Sequence, residues 1–260
     1  MPDAPPTWTF ANRVPLQDNT PLTWMTVHRV RFGRTVDAKA GGMAGPAGAA
    51  LALIGPDSRL DANGMRESFS NVWGGIAFYE DRAAAEAAMD DPMTIPGCND
   101  AVEAWHGLLC PISHRGATAW FGNLENASRF VPAGRDHDPG GRLVVLTSAG
   151  FNDLPRDQLM ADMPRRIDFL RNVDRVIDWY ATLPTNLARA NFHLRAMGHI
   201  DGLTASVWES DGAMMAAAYK PGIHRSQVDR YKAEHTADRS SFTRARLLRA
   251  KGTWDGVALV

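Results

Sequence analysis

The feature that most constrains this fold is an internal repeat, in which a β-type segment runs into an alanine-rich helix twice along the chain. The copies are "SNVWGGIAFYEDRAAAEAAM" at 70–89 and "GLTASVWESDGAMMAAAY" at 202–219, and matching Glu80 to Glu209 sets a shift of 129 residues. Trp120 with Gly122 and Trp254 with Gly256 repeat a second signature at a shift of 134. Because each shift is about half of the 260-residue chain, the repeat predicts two similar units.

The second half shows the order of elements within one unit. A strand-like run at 141–151 precedes an amphipathic helix whose apolar residues recur at steps of three and four until Pro184 ends it. The alternating segment "NFHLRAM" at 191–197 follows, then a strand ending at Trp208, a helix around His224 and the strand "SFTRARLL" at 241–248. The order β-α-β-β-α-β is that of a ferredoxin-like unit. In the first half, a Gly/Ala-rich stretch at 41–55 leaves room for a short helix, a loop and a strand.

We therefore predict an α+β protein, with tandem ferredoxin-like repeats that face each other sheet to sheet as a pseudo-symmetric dimeric α+β barrel built from one chain. The N-terminal unit is expected at 21–124 and the C-terminal unit at 141–260. The segment 125–140 is rich in proline, glycine and charge, which is typical of a linker.

Composition excludes several classes of protein. A formal net charge of −1 argues against a protein that neutralises nucleic-acid phosphates, and no apolar run is long enough for a bilayer span. Two cysteines, Cys98 and Cys110, are too few for a disulfide framework or a zinc cage. The N-terminus lacks the pattern of a secretion signal, so a cytoplasmic protein is expected. The chain contains no GxSxG, HExxH or phosphate-loop motif.

Histidine is the most informative chemical signal. None of the eight histidines pairs with another at a spacing of four, but haem brings most of its own ligands and needs only one axial donor. His224 follows a Lys-Pro-Gly break at the start of a helix and shares a helical face with Val228 and Tyr231. The aligned first-half residue is Ile95 or Asp90, depending on the shift. The alternative is a partly exposed histidine beside its neighbour in sequence, and the pattern alone leaves both open.

Other candidates come from strand positions that could face a pocket. His193 and Arg195 share one face of their strand by period two, whereas Thr147 and Ser148 point to opposite faces. Arg195, His193 and Ser148 are the predicted catalytic donors. Arg244 and Trp208 are the predicted cofactor contacts beside the metal ligand His224. The alternatives are surface salt bridges for the two arginines and core packing for Trp208.

The second half resembles the C-terminal region of the spheroidene monooxygenase family. The resemblance rests on "LTASVWESDGAMMAAAYKPGIHRSQVDRYKAE" at 203–234 and "SFTRARLLRAKGTWDG" at 241–256, and "LCPISHRGATAWFG" at 109–122 adds to it. It implies a dimeric α+β barrel that holds b-type haem through a proximal histidine on a helix of the C-terminal half. His224 is the matching residue of this chain.

With this resemblance, we expect a haem-dependent monooxygenase that acts on a small or apolar organic molecule. Molecular oxygen and an electron donor would be its co-reactants, and a homodimer is a possible assembly. Two alternatives remain open: a haem-dependent dehydratase or lyase for a nitrogen-containing substrate, as in aldoxime dehydratases, and a non-catalytic α+β barrel that binds a small molecule.

Overall fold

A computed structural model describes residues 21–37, 46, 48–57, 59–64, 69–90, 101–116, 130–150, 155–196 and 199–259. In chain order, the elements are β1 (Trp24–Asp37), β2 (Leu51–Pro56), β3 (Phe69–Tyr79), α1 (Arg82–Ala87), β4 (Ala101–Gly116), β5 (Leu143–Gly150), α2 (Arg156–Tyr180), β6 (Asn186–Ala196), β7 (His199–Trp208), α3 (Asp211–Tyr219), α4 (Ile223–Glu234) and β8 (Arg239–Gly252).

All eight strands form one antiparallel sheet in the order β2-β3-β1-β4-β8-β5-β7-β6. The order has an internal symmetry, because β4 pairs with β8 at the centre and each half then adds its strands in the same sequence. From the centre outward the first half reads β4, β1, β3, β2, and the second half reads β8, β5, β7, β6. The two halves are therefore arranged alike around the β4–β8 pair.

The sheet curls until its two edge strands meet, so that it nearly closes into a barrel. Asp57, just after β2, forms an isolated bridge with Phe192 of β6, and its carboxylate accepts the backbone N–H of Asn191 at 3.1 Å. A Cβ at Gly55 would overlap the carbonyl oxygen of His193, which shows how closely the two backbones approach. Glycine at this position permits the contact.

The period of two in each strand divides the apolar residues between the two faces of the sheet. The inner face holds the largest core, to which all eight strands contribute. On the outer face, the second half packs Leu143, Val145 and Trp208 against α2 and α3. The first half packs Tyr79 and Leu108 around α1, whose first turn is capped by Asp81. Among the described helices, none is both long and apolar enough to cross a membrane.

Several predicted boundaries differ from the structure. Strand β6 begins at Asn186, five residues before the alternating segment, because its early residues pair with the end of β7. The last strand of the first half ends at Gly116. The Trp120–Gly122 signature, Ile95, and residues 41–45 and 47 of the Gly/Ala-rich stretch lie outside the described residues. Part of the predicted linker is packed, since Phe130 is buried and Asp138 forms an ion pair with Arg246.

Candidate functional site

The candidate site lies on the outer face of the second half, where α2, α3 and α4 cover the sheet. His224 is the second residue of α4, directly after the break that separates this helix from α3. Its Nδ1 lies 3.0 Å from the carbonyl oxygen of Ala218 in the last turn of α3. Since a carbonyl only accepts, this hydrogen bond places the proton on Nδ1 and leaves the lone pair on Nε2. Among the described residues, none hydrogen-bonds to that Nε2 atom.

Two aromatic rings position the imidazole of His224. The ring of Tyr180 stacks on it, with centroids 5.9 Å apart and an interplanar angle of 26°. Trp208 in turn meets Tyr180 edge to face at 5.0 Å, and its indole N–H donates to Ser206 at 2.9 Å. Burial lowers the pKa of His224 from its ordinary value, although the hydrogen bond to Ala218 opposes this shift. The imidazole is therefore neutral at pH 7, as a metal ligand must be.

At one position along β5, the helices leave the outer face of the sheet uncovered. Thr147 is exposed even though its strand, β5, is flanked by β7 and β8. Several outer-face residues around it are small: Thr204, Gly202, Ala149 and Ser240. Phe242, which lies directly opposite Thr147 on β8, is the large exception and packs against the outer-face cluster. A Cβ at Gly202 would meet only the side-chain oxygen of Asn191, at 4.0 Å.

Helix α2 is fixed to the sheet on both sides of this opening. Toward its C-terminal end, Ile177 and Tyr180 belong to the apolar cluster with Trp208. Toward its N-terminal end, the buried Arg166 bridges Asp162 and Asp238 at 2.6 Å each. Between these two attachments Thr147 remains exposed, and we call the region over Thr147 and Gly202 the cleft.

Arg244 belongs to the same face of the sheet, because it lies opposite Val145 in the β5–β8 ladder. Its guanidinium forms an ion pair with Asp211 in the first turn of α3. Its Nε–H is buried and has no acceptor among the described residues. A buried donor of this kind is costly unless a ligand or water accepts from it.

The remaining predicted donors divide between the two faces. His193 is half-buried opposite Gly202, on the outer face with the cleft. Arg195 lies in β6, but its side chain is outside what the structure describes. Ser148 points into the barrel, where it is buried and hydrogen-bonded to Ser241 at 2.8 Å. The structure thus brings His224, Trp208, Arg244 and His193 to one face and places Ser148 on the other.

Sequence reasoning missed three contributors to this site. The apolar spacing of its helix indicates only a packing role for Tyr180, and no sequence pattern singles out Gly202 or the carbonyl of Ala218. The Lys-Pro-Gly break after Tyr219 was the available signal, since a chain reversal between α3 and α4 returns His224 to the end of α3. Nothing in the sequence pairs Thr147 with Gly202, because that depends on strand register.

Comparisons with known proteins identify no family. No protein-family model matches the chain, and a search of the curated proteins finds no relative. Solved structures resemble it only distantly. A candidate monooxygenase of Fusobacterium nucleatum is 7% identical, with 90% of this chain and 95% of that one covered and a TM-score of 0.36. An anthrone oxidase-like protein is 11% identical, with coverages of 94% and 98% and a TM-score of 0.33. An aldoxime dehydratase in complex with butyraldoxime is 11% identical, with coverages of 92% and 81% and a TM-score of 0.38.

Proposed function

We propose that this protein is a haem-dependent monooxygenase, and that haem would bind in the cleft of its second half with His224 as the residue that holds its iron. The main support is the hydrogen bond from His224 Nδ1 to the carbonyl of Ala218, which leaves the lone pair of Nε2 available to bind a metal. Histidines that ligate metals usually donate their other ring N–H in this way. The family resemblance of the sequence supports haem as the group and oxygen as the co-reactant.

The residues of the cleft fit a flat, largely apolar group that carries carboxylates. The small side chains of Thr204, Gly202 and Ala149 leave room beside Thr147. Phe242 and the Trp208–Tyr180 pair provide apolar walls. The buried Nε–H of Arg244 is a donor for a propionate. In the described residues, no three potential metal ligands cluster, which suits a group that needs only one protein donor.

When bound, haem would supply an iron that binds and activates oxygen. The residues of the chain have separate tasks. The carbonyl of Ala218 orients the His224 ring, and Tyr180 restricts its tilt by stacking. Burial keeps the imidazole neutral, so that its lone pair is available near pH 7. The apolar wall would exclude water from one side of a group bound in the cleft.

We also propose that the two halves are fused ferredoxin-like units, with N-terminal unit 21–124, linker 125–140 and C-terminal unit 141–260. The matching strand order around β4 and β8 supports this division. The substrate is a small or apolar organic molecule, and His193 and Arg195 are proposed as donors on the open side. Ser148 is not retained, because its strand position directs it into the barrel.

The test is an absorption spectrum of the full chain expressed with a haem precursor. The wild type is expected to show a Soret band that His224→Ala greatly weakens. His137→Ala is the matched control, because exposed His137 also hydrogen-bonds a backbone carbonyl, that of Ala133 at 3.1 Å, and should leave the band unchanged. Wild-type protein without the band, or an unaffected His224→Ala band, would refute haem ligation.

A second variant tests the cleft without changing the proposed metal ligand His224. Gly202→Leu adds a side chain where a Cβ has open space, so the fold should be retained while haem uptake falls. Circular dichroism of the protein without haem separates lost uptake from lost folding. Oxygen uptake with apolar substrates then distinguishes a monooxygenase from a haem lyase, which consumes no oxygen.

A further inference from the structure

The outer face of the first half contains a chain of four buried polar side chains that the haem proposal does not use. Tyr79 lies 3.1 Å from Thr26 between their hydroxyl oxygens, and Thr26 lies 2.5 Å from Nε2 of His28. Nδ1 of His28 lies 2.8 Å from Nδ1 of His106. None of the four residues is more than 3% exposed. Strand register creates the chain, because His28 lies directly opposite His106.

The direction of these hydrogen bonds follows from Tyr79. Thr26 is its only hydrogen-bond partner among the described residues, so the buried Tyr79 O–H must donate to Thr26 or remain unsatisfied. The buried Thr26 hydroxyl has no other acceptor among the described residues, so its own proton is satisfied only by donation to Nε2 of His28. His28 therefore carries its proton on Nδ1 and donates it to Nδ1 of His106.

This direction fixes the tautomer of His106. Because Nδ1 of His106 accepts, its single proton lies on Nε2, and the ring presents an N–H donor. Among the described residues, none accepts from that atom. Burial lowers the pKa of both histidines, so neither ring gains a second proton at pH 7 that would disturb the arrangement.

The surroundings of His106 favour an anion. Lys251 of β8 lies directly opposite His106, and Arg249 lies opposite Leu108 on the same face. The one carboxylate paired with these cations in the described region is Asp90, at 3.3 Å from Lys251 and 3.8 Å from Arg249. Asp90 is largely exposed and leaves one positive charge uncompensated. A metal ion is disfavoured, since the two Nδ1 atoms are committed to each other and Lys251 repels a cation.

We infer that His106 and Lys251 form a second ligand site, which binds the carboxylate group of a small organic acid on the outer face of the β4–β8 pair. The Nε2–H of His106 donates to one carboxylate oxygen, and the ammonium of Lys251 contacts the other. Thr26, His28 and Tyr79 are positioning residues that hold His106 in the donating tautomer. The site is in the opposite half from His224 and does not depend on haem.

The experiment uses the full chain with ¹⁵N-labelled histidine and acetate as the probe. Ring ¹⁵N shifts should show His28 protonated at Nδ1 and His106 at Nε2. Acetate should then shift the Nε2 signal of His106 saturably, and sodium chloride at equal ionic strength should not. A His106 protonated at Nδ1, or one that does not respond to acetate, would overturn the inference.

Two variants separate specific binding from general attraction by charge. Lys251→Gln, on an exposed side chain, should weaken acetate binding by about fivefold. Lys220→Gln is the matched control, because Lys220 is exposed at the end of α3 in the other half, and it should leave binding unchanged. Equal binding to wild type and Lys251→Gln would eliminate Lys251 from the site and contradict the inference.

Discussion

Gly55 of β2 lies against the backbone carbonyl of His193 in β6, at the point where the two edges of the sheet meet. This contact joins the first half to the second on the side opposite the β4–β8 pair. The space is so tight that a Cβ at Gly55 would overlap the oxygen of His193 and approach the next backbone nitrogen. Barrel closure therefore depends on a residue without a side chain.

Gly55→Ala is expected to destabilise the fold by about 2 kcal/mol, because the two backbones must separate to admit one methyl group. Urea unfolding measures the loss. Gly212→Ala is the control, since Gly212 lies at the exposed start of α3 with nothing closer than 3.8 Å, and alanine there should be neutral or stabilising. If the two variants unfold alike, the β2–β6 contact does not contribute to stability.

The sequence predicted the second half better than the first, and the reason is visible in particular elements. Helix α2 has three- and four-residue apolar spacing over 25 residues, and β7 leads into a helix capped by Ser210, so local pattern determined both. The first half has a helix of only six residues, α1, and a long strand, β4, whose polar residues obscure its alternation. Periodicity is weak evidence in such short or irregular segments.

The candidate site was predictable only in part, for a related reason. His224 stands out in the sequence because a histidine after a helix break is a local feature, and its role as a ligand stays a prediction. Its partners Tyr180 and Ala218 depend on how the helices pack, and the His28–His106 pair depends on register between strands 78 residues apart. Alternation assigned Thr147 and Ser148 to opposite faces correctly, but both faces of β5 begin with apolar residues, so the pattern did not indicate which face was outside.

Glu103 of β4 connects the end of the chain to the barrel. Burial alone would raise the pKa of this carboxyl, but hydrogen bonds from the Gly256 N–H, Arg31, Arg29 and Thr253 outweigh burial and lower the pKa to about 2. Its carboxylate lies 3.0 Å from the buried Arg29. Glu103→Gln should therefore destabilise the protein by about 2 kcal/mol, because the buried Arg29 loses one of its two carboxylate partners and keeps Asp255.

Urea unfolding near pH 7 measures this effect, and Glu209→Gln on an exposed residue should change stability by less than about 0.5 kcal/mol. A pH series provides a further check. Since the folded pKa of Glu103 is lowered, its contribution is present above the ordinary value of 4.5 and is lost as pH falls toward 2. The Glu103→Gln variant should therefore lack this part of the stability loss at low pH.

Tyr180 connects His224 to the apolar cluster and is expected to affect stability and haem uptake together. Tyr180→Leu removes both ring contacts and should cost about 2–4 kcal/mol, with weaker haem binding because the imidazole is less restrained. Tyr180→Phe retains both ring contacts, with His224 and with Trp208, and should bind haem as the wild type does. Tyr219→Leu, at a side chain 54% exposed, is the control for loss of a tyrosine. Haem binding that survives Tyr180→Leu unchanged would show that stacking does not position His224.

The buried histidine pair should make this protein sensitive to mild acid. Burial and, for His106, the charge of Lys251 lower the pKa of His28 well below 6.5 and that of His106 to about 4. In the unfolded chain both rings take up protons below about pH 6.5, so the unfolded state binds more protons than the folded state and stability falls as pH decreases. For His106 alone, each pKa unit corresponds to about 1.4 kcal/mol, and the loss between pH 6.5 and 4 is on the order of 3 kcal/mol.

Urea unfolding at several pH values should show this slope, and the slope should flatten in a His28→Phe/His106→Phe double variant even if that variant is less stable overall. An unchanged slope in the double variant, with the exposed His137→Phe as reference, would show that other groups cause the acid sensitivity.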